Sequence, residues 1–245
     1  FTVANGSGAN IKVDGNRGAY GLFKQVEVLS GSSVISQIND YDCVIDQMAH
    51  VALSEEYRFG FGRVTQGFSI SSEAFAGADI QDAAEQVYCL PLYGLPIYQE
   101  KLLPLFGRSE IRINLYLNAA AGIGATAVTV QNPELVCYQV RVNNDVMEDL
   151  MMENGGVFEI MTQDIQTIPQ SVAQTDRSLV SNLGFSFSSL NKLSFAYYPT
   201  TLSTVTTASS NKDKRNLTEF NLLVNGSKFP KNPVQVPDSG AEALM

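Results

Sequence analysis

Apolar and polar side chains alternate with a period of two along much of this chain. In the segment 111–118, Ile and Leu occupy the odd positions, whereas Arg, Asn and Tyr occupy the even positions. Such alternation predicts a strand with one buried and one exposed face. The opening segment FTVANG also has the character of a strand. The same pattern predicts further strands in the segments 25–31, 67–72, 126–132, 137–144, 183–189, 192–199 and 219–227.

Residues typical of turns separate these segments. Pairs of Asn and Gly occur at 5–6, 15–16 and 225–226, and prolines occur at 133, 199, 230 and 233. Many short strands with such punctuation predict an all-β fold made of sandwiches or barrels.

Two segments depart from the alternation and predict helices. Segment 32–54 carries apolar side chains at a spacing of three and four, which predicts an amphipathic helix that Ser32 or Ser33 would cap. Segment 143–156 predicts a shorter helix, which Asn144 or Asp145 would cap and the Gly-Gly pair at 155–156 would end. We expect a domain boundary there, near residues 150–156.

The segment 122–127 fits the glycine pattern G-x-G-x-x-[GA] of dinucleotide-binding turns. Such a turn needs a helix directly after the glycines, so that the helix N-terminus meets the pyrophosphate. Here a β-branched segment follows instead, and the acid about 20 residues further on, Asp145, falls in the wrong context. We therefore interpret Gly122 and Gly124 as part of a tight hairpin between two strands.

Candidate catalytic and metal-binding side chains are few. His50 is the only histidine, and it follows Cys43 by seven residues on the same predicted helix. Two helical turns separate such residues by ~10 Å, too far for a nucleophile and its base. Asp40, Asp42 and Asp46 lack the spacing of a calcium loop, and we predict that they form the solvated face of the helix. The sequence therefore predicts no catalytic, cofactor-binding or metal-binding residues.

Composition and charge narrow the possible partners. The net charge is −9, which opposes binding to phosphate backbones, so no direct nucleic-acid partner is expected. The basic cluster Lys212, Lys214 and Arg215 is predicted to be an exposed loop. Charged residues make up only 17% of the chain, which suits a protein that hides surface in an assembly.

The cysteine spacing and the N-glycosylation sequons give little indication of function. The three cysteines, at 43, 89 and 137, form no C-x-x-C pair and are predicted to be reduced thiols that pack as small hydrophobic side chains. Sequons begin at Asn5, Asn216 and Asn225, and we interpret them as chance matches in turns.

Three longer segments carry recurring motifs. In the first, 13–48, a Gly-bearing turn leads to an l-f-x-x-v-x-v element, a small loop and a helix with I-x-x-Y. The matching residues are Leu22, Phe23, Val26, Val28, Ile38 and Tyr41. In the second, 89–120, an apolar strand ending in Pro-Leu and a loop precede the k-x-L-P-L element Lys101–Leu105 and the alternating strand 111–118.

The third segment, 214–235, combines an Arg-Asn pair at 215–216, a strand, an Asn-Gly turn at 225–226 and a P-x-x-P element at Pro230 and Pro233. Taken in order, the three segments resemble the double jelly-roll major capsid proteins of the adenovirus-hexon and tailless-phage lineage. The likeness is greatest to those of virophages and polinton-like viruses.

The resemblance implies a double jelly roll, in which two antiparallel eight-stranded β-sandwiches stand side by side with a few short helices in the connecting loops. Residues 1–150 would form the first roll, without its N-terminal strand, and residues 151–245 the second, without its C-terminal strands. The chain is thus expected to be incomplete, because sixteen strands need more residues than it offers.

The resemblance also implies a structural role in a double-stranded DNA virus. Such subunits form homotrimers, and each trimer is a pseudo-hexameric capsomer that tiles an icosahedral capsid assembled inside the infected host cell. The partners would be further copies of the chain, neighbouring capsomers, a penton protein and minor capsid or cement proteins. The polar segment 200–214 would be an outward loop tip. No enzyme activity, cofactor or metal is implied.

Two other classes of protein share the composition. One is a single jelly-roll vertex (penton) protein or a lectin-like or adhesin-like β-sandwich binding module, which would account for the length without missing strands. The other is a β-sandwich hydrolase, which would need acids clustered in a cleft.

Overall fold

The computed structural model describes residues 1–8, 10–14, 16–68, 76–98, 110–118, 128–153, 155–156, 163–173, 175–184, 189–196 and 217–236. The strands within these ranges are β1 Thr2–Asn5, β2 Ile11–Asp14, β3 Phe23–Ser30, β4 Ser33–Asn39, β5 Ala76–Ile80, β6 Glu85–Val87, β7 Ile111–Leu117, β8 Val128–Gln131, β9 Glu219–Val224 and β10 Ser227–Gln235. The α-helices are α1 Tyr41–Ala52, α2 Glu55–Phe59, α3 Phe61–Gln66 and α4 Asn144–Glu153, and a 3₁₀ helix covers Gly18–Leu22.

Every strand pair within the described ranges is antiparallel. Two sheets have three strands each, in the orders β6-β1-β8 and β4-β3-β7, and the remaining strands form the two pairs β2-β5 and β9-β10. The chain therefore has a β-rich fold of antiparallel sheets with a few short helices. This confirms the strand-rich part of the expectation, whereas the double jelly roll stays a prediction.

The β4-β3-β7 sheet shows how alternation produces burial. Val26 pairs with Ile38 of β4 on one side and with Leu115 of β7 on the other. Val26, Val28 and Ile38 are fully buried, and helix α1 packs against β3. The predicted strands at 25–31 and 111–118 are thus confirmed.

The first predicted helix begins too early. Residues 33–39 form β4, which continues β3 through a two-residue turn at Gly31 and Ser32. Ile38 therefore belongs to a strand and not to a helix, and neither Ser32 nor Ser33 is a helix cap. The alternation was hidden because a serine, Ser36, occupies one of the two buried positions of β4, with Ile38 at the other.

Helix α1 begins where the backbone turns at Asp40, whose φ of 49° lies in the left-handed region. The Asp40 carbonyl accepts the first bonds of the helix, from the N–H groups of Cys43 and Val44 at 2.9 and 3.0 Å. From Tyr41 onward the three-and-four spacing buries one side of the helix, so this part of the prediction is confirmed.

The second predicted helix is confirmed as α4. It begins at Asn144, and the Asn143 carbonyl accepts from the Met147 N–H at 3.1 Å. Asn143, one residue earlier than expected, is therefore the residue that flanks the helix. At the other end the Gly155 and Gly156 N–H groups donate to the carbonyls of the last turn, with both φ values positive.

Other strand predictions have mixed outcomes. Strands β1, β8 and β9 confirm the segments 1–6, 126–132 and 219–227, and the turn at 225–226 joins β9 to β10. The prediction for 137–144 is wrong, because 132–143 are described and form no strand. The segments 67–72, 183–189 and 192–199 lie partly outside the described residues, and their described residues form no strand.

The fully buried part of the core, among the described residues, lies in the first part of the chain. Among the described residues, every buried side chain lies between Val3 and Pro96. One glycine shows how closely this region is packed: Gly18 has a φ of +58°, and a Cβ there would lie 2.3 Å from the Gln66 carbonyl oxygen. The 3₁₀ helix can therefore meet the end of α3 only through a residue without a side chain.

Candidate functional site

Buried charged residues lie on helix α1 and on the elements packed against it, and they form the first candidate functional site. Arg17 donates from Nη1 to Asp42 Oδ2 at 2.8 Å, and both side chains are almost fully buried. Asn118, directly after β7, donates to the same carboxylate at 3.3 Å and to the Gly21 carbonyl at 3.2 Å. This cluster joins α1, the 3₁₀ helix and the end of β7.

The electrostatics of Asp42 reflect its burial. Loss of solvent raises the pKa of Asp42 above its ordinary value, while Arg17 and Lys24 act in the opposite direction. Lys24 itself pairs with Asp40, at the start of α1. Each carboxylate thus has a cationic partner, which is typical of a structural cluster that fixes neighbouring elements.

A second buried acid lies one turn further along α1. Asp46 has no exposed surface, and His50 Nδ1 lies 2.7 Å from its backbone carbonyl and 3.2 Å from Oδ1. Because a carbonyl oxygen only accepts, the geometry assigns the proton of the neutral ring to Nδ1. The buried Arg58 lies over the rings of Phe59 and Phe68, at 5.6 and 5.7 Å, where burial lowers its pKa and Asp46 opposes that shift.

The prediction that these acids form a solvated helix face is therefore wrong. Asp42 and Asp46 are buried, and Asp40 is half-buried against Lys24. A spacing of four places Asp42 and Asp46 on the side of α1 that also carries Ile45, and Arg17 and Arg58 make their burial tolerable. The spacing of Asp42 and Asp46 already indicates that the two acids share one side of the helix. Their basic partners belong to other elements and could not be identified from the sequence.

Cys43 and His50 are not brought together as a catalytic pair. His50 bonds to Asp46, and burial raises the pKa of the Cys43 thiol to about 12, so the thiolate is scarce at neutral pH. All three cysteines are free thiols, with Cys43 half-buried. Cys89 and Cys137 are exposed, so the prediction that they pack as small hydrophobic side chains is wrong for these two.

A tyrosine network crosses the core beside α3. The Tyr20 hydroxyl donates to the Pro91 carbonyl at 2.9 Å and lies 3.3 Å from Gln66 Oε1, while Gln66 Nε2 donates to the Tyr57 hydroxyl at 2.8 Å. Burial raises the pKa of Tyr20, which keeps the phenol neutral and able to donate. No sequence pattern indicates this network, because Gln66 and Pro91 approach Tyr20 only in the fold.

The glycine-rich segment 122–127 lies outside the described residues, but the strands on either side correct its interpretation. Strand β7 pairs with β3, whereas β8 pairs with β1 in another sheet. Strands β7 and β8 therefore belong to different sheets, and the interpretation as a hairpin between them is wrong. The element that follows is the strand β8 and not the helix that a dinucleotide cradle needs.

The motifs of the three longer segments are described in part. The first spans β2 to α1, the alternating strand of the second is β7, and the third includes the β9-β10 hairpin with its turn at 225–226. Pro230 and Pro233 fall in a bulge of β10, where the register shifts between Phe229 and Val234. Residues 101–105, 200–214 and 215–216, including the basic cluster, lie outside the described residues.

A surface of apolar side chains is the second candidate site. In the segment 136–142 the even positions are Val136, Tyr138, Val140 and Val142, and all four are exposed, with Tyr138 98% exposed. The β9-β10 hairpin carries a similar set, in which Leu222 and Phe229 line a shallow cleft with Leu190. We use one name, the C-terminal apolar surface, for two sets of exposed side chains, those of the segment 136–142 and those of this hairpin face.

Comparisons of the chain with family models, with curated proteins and with solved structures give no match. Among the described residues, no three His, Cys, Asp or Glu side chains are grouped so as to hold a metal ion. No described helix has the length and apolar character that crossing a bilayer requires.

Proposed function

We propose that this chain is a subunit of an icosahedral virus shell, a major capsid protein of the double jelly-roll kind. Three copies would associate into a pseudo-hexameric capsomer, and capsomers would contact one another and the penton and minor capsid proteins in the virion. The antiparallel, strand-rich fold and the three family-like segments support this proposal.

The observation that carries the proposal is the C-terminal apolar surface. Val136, Tyr138, Val140 and Val142 alternate with polar residues along the sequence, and all four are exposed. In the β9-β10 hairpin, Leu223, Val224 and Phe229 are exposed as well. Contiguous exposed apolar surface marks sites of association. Obligate interfaces are large and apolar, and burial contributes about 25 cal/mol for each Å² of apolar surface removed from water.

The backbone gives a second reason for association. Residues 132–142 form no strand, and no backbone hydrogen bond among the described residues involves them, although their side chains favour a sheet. Among the described residues, the β9-β10 pair also has only two strands, and such hairpins are marginal in water without further packing. Subunit contacts would supply both the missing apolar cover and the missing backbone partners.

Electron microscopy and mass measurement of the native particle test the proposal. We expect trimers with a pseudo-hexagonal outline, or closed icosahedral shells that contain them. A monodisperse monomer of the full-length protein at high concentration would contradict it. Glycan binding by that monomer would then favour the β-sandwich binding module.

A matched pair of variants tests the role of the C-terminal apolar surface. Tyr138→Ser combined with Val140→Ser removes apolar area and is expected to shift assembled particles toward monomers. The control, Gln139→Ser with Arg141→Ser, alters the polar positions of the same segment and is expected to assemble as the wild type does. Equal assembly of both variants would exclude this segment from the interface.

A further inference from the structure

The tripeptide Asn-Gly-Ser occurs twice in this chain, at Asn5–Ser7 and Asn225–Ser227. An asparagine followed by glycine can cyclise, because glycine has no Cβ to keep its backbone nitrogen away from the asparagine side chain. Since the two tripeptides are identical, any difference in their reactivity in the folded protein comes from structure.

Asn5 is held by its side chain and its backbone. Its Nδ2 donates to the carbonyls of Ile80 and Gln81 at 2.9 and 3.1 Å, and its Oδ1 accepts from the Ser7 N–H and hydroxyl at 3.0 and 2.7 Å. The residue also ends β1 and is only 2% exposed. Rotation of Cγ onto the Gly6 nitrogen would break all four side-chain hydrogen bonds.

Asn225 is in the opposite situation. It lies with Gly226 in the two-residue turn between β9 and β10, and φ is +49° at Asn225 and +79° at Gly226. Its side chain is exposed, and no hydrogen bond between described residues holds it. The turn closes a two-stranded hairpin, so opening it disrupts few contacts.

We propose that Asn225 is a site of spontaneous deamidation and that Asn5 is protected from it. The Gly226 nitrogen, after losing its proton to hydroxide, attacks Asn225 Cγ and forms a new C–N bond. The Cγ–Nδ2 bond breaks, and the nitrogen leaves as ammonia after taking a proton from water. Water then opens the five-membered succinimide at either carbonyl, which gives aspartate or isoaspartate, and no oxidant or cofactor is needed.

The products change the hairpin in two ways. Either product adds one negative charge to a chain whose net charge is −9. Isoaspartate also lengthens the backbone within a two-residue turn, which opposes the pairing of Val224 with Ser227. The modification would thus alter one edge of the C-terminal apolar surface with time, whether or not the chain assembles into a shell.

Peptide mapping by mass spectrometry after incubation in mildly alkaline buffer tests this inference, with enzymatic methylation to detect isoaspartate. In the folded full-length chain, we expect Asn225 to deamidate at least about tenfold faster than Asn5, which corresponds to ~1.4 kcal/mol of extra opening free energy at Asn5. The denatured chain is the control, because both tripeptides should then react at similar rates.

Two outcomes would overturn the inference. One is comparable deamidation of Asn5 and Asn225 in the folded chain. The other is an unmodified Asn225 in the folded chain over a period in which the denatured chain reacts at both sites.

Discussion

Two nearly identical tetrapeptides have opposite environments in this molecule. Gln-Val-Glu-Val at 25–28 lies in β3, where Val26 and Val28 are fully buried between two neighbouring strands. Gln-Val-Arg-Val at 139–142 lies in no sheet, and Val140 is 59% exposed. The local pattern is the same, so the difference comes from the partners. Alternation prepares a segment to be a strand, and neighbouring strands then satisfy its backbone and cover its apolar face.

The same contrast extends to whole regions. Strands β3 and β7 and helix α1 enclose a core that includes charged pairs, whereas the described residues after Gln131 bury no side chain. Described residues with strand-like alternation and no buried side chains are expected to gain their stability from contacts with other chains. If that is right, substitutions in the two regions should affect different measurements.

The largest expected effect comes from two matched acids. Asp42 and Asp145 are each the second residue of a helix, α1 and α4, but Asp42 is buried against Arg17 and Asp145 is exposed. Asp42→Ala leaves the guanidinium buried without its partner and is expected to lower the free energy of unfolding by about 3–5 kcal/mol. Asp145→Ala loses only the interaction with the helix N-terminus, less than about 1 kcal/mol. Urea unfolding measures both.

A compensated variant separates the ion pair from the local structure. Arg17→Met combined with Asp42→Leu removes both charges and is expected to recover much of the stability that Asp42→Ala loses. Similar unfolding midpoints for Asp42→Ala and Asp145→Ala would show that the buried Arg17–Asp42 pair does not stabilise α1. The two regions would then not differ in this respect.

The second-largest expected effect comes from matched valine substitutions in the two tetrapeptides. Val26→Ala removes two buried methyl groups and leaves a cavity, with an expected cost of about 2–3 kcal/mol in the free energy of unfolding. Val140→Ala should change that free energy by less than about 0.5 kcal/mol, because the side chain is already exposed. Its expected effect is on association instead, measured by sedimentation velocity. A large loss of monomer stability in Val140→Ala would mean that 139–142 packs within its own chain.

Sequence reasoning succeeded where the chain supplies all the information locally. Strand β7 shows strict alternation, and the Asn-Gly turn between β9 and β10 fixes a hairpin through positive φ values at both residues. Helix α4 ends at two glycines for the same kind of reason. Each of these elements is determined by residues within about ten positions of one another.

Sequence reasoning failed where residues far apart in the chain determine the local structure. Ile35 and Ile38 fit a helical spacing, but pairing with β3 makes their segment a strand and buries Ser36. The burial of Asp42 depends on Arg17 and on Asn118, which lies 76 residues further along the chain. The partner of β8 could not be predicted either. Strand β8 pairs with β1 and not with β7, and this pairing depends on how the sheets are arranged, not on the residues between β7 and β8.

The smallest expected change concerns two thiols, Cys43 in α1 and Cys137 in the exposed segment. Because burial raises the pKa of Cys43 to about 12, it should react with a thiol reagent at mildly alkaline pH far more slowly than Cys137. An unfolded thiol ionises near ~8.5, so the contribution of Cys43 to stability is present below that pH and is lost as the pH rises toward 12. Cys43→Ala should therefore lose less stability than the wild type between these values. Equal labelling rates of Cys43 and Cys137 in the folded chain would show that α1 opens as readily as the exposed segment. The two regions would then differ in their average structure but not in their local stability.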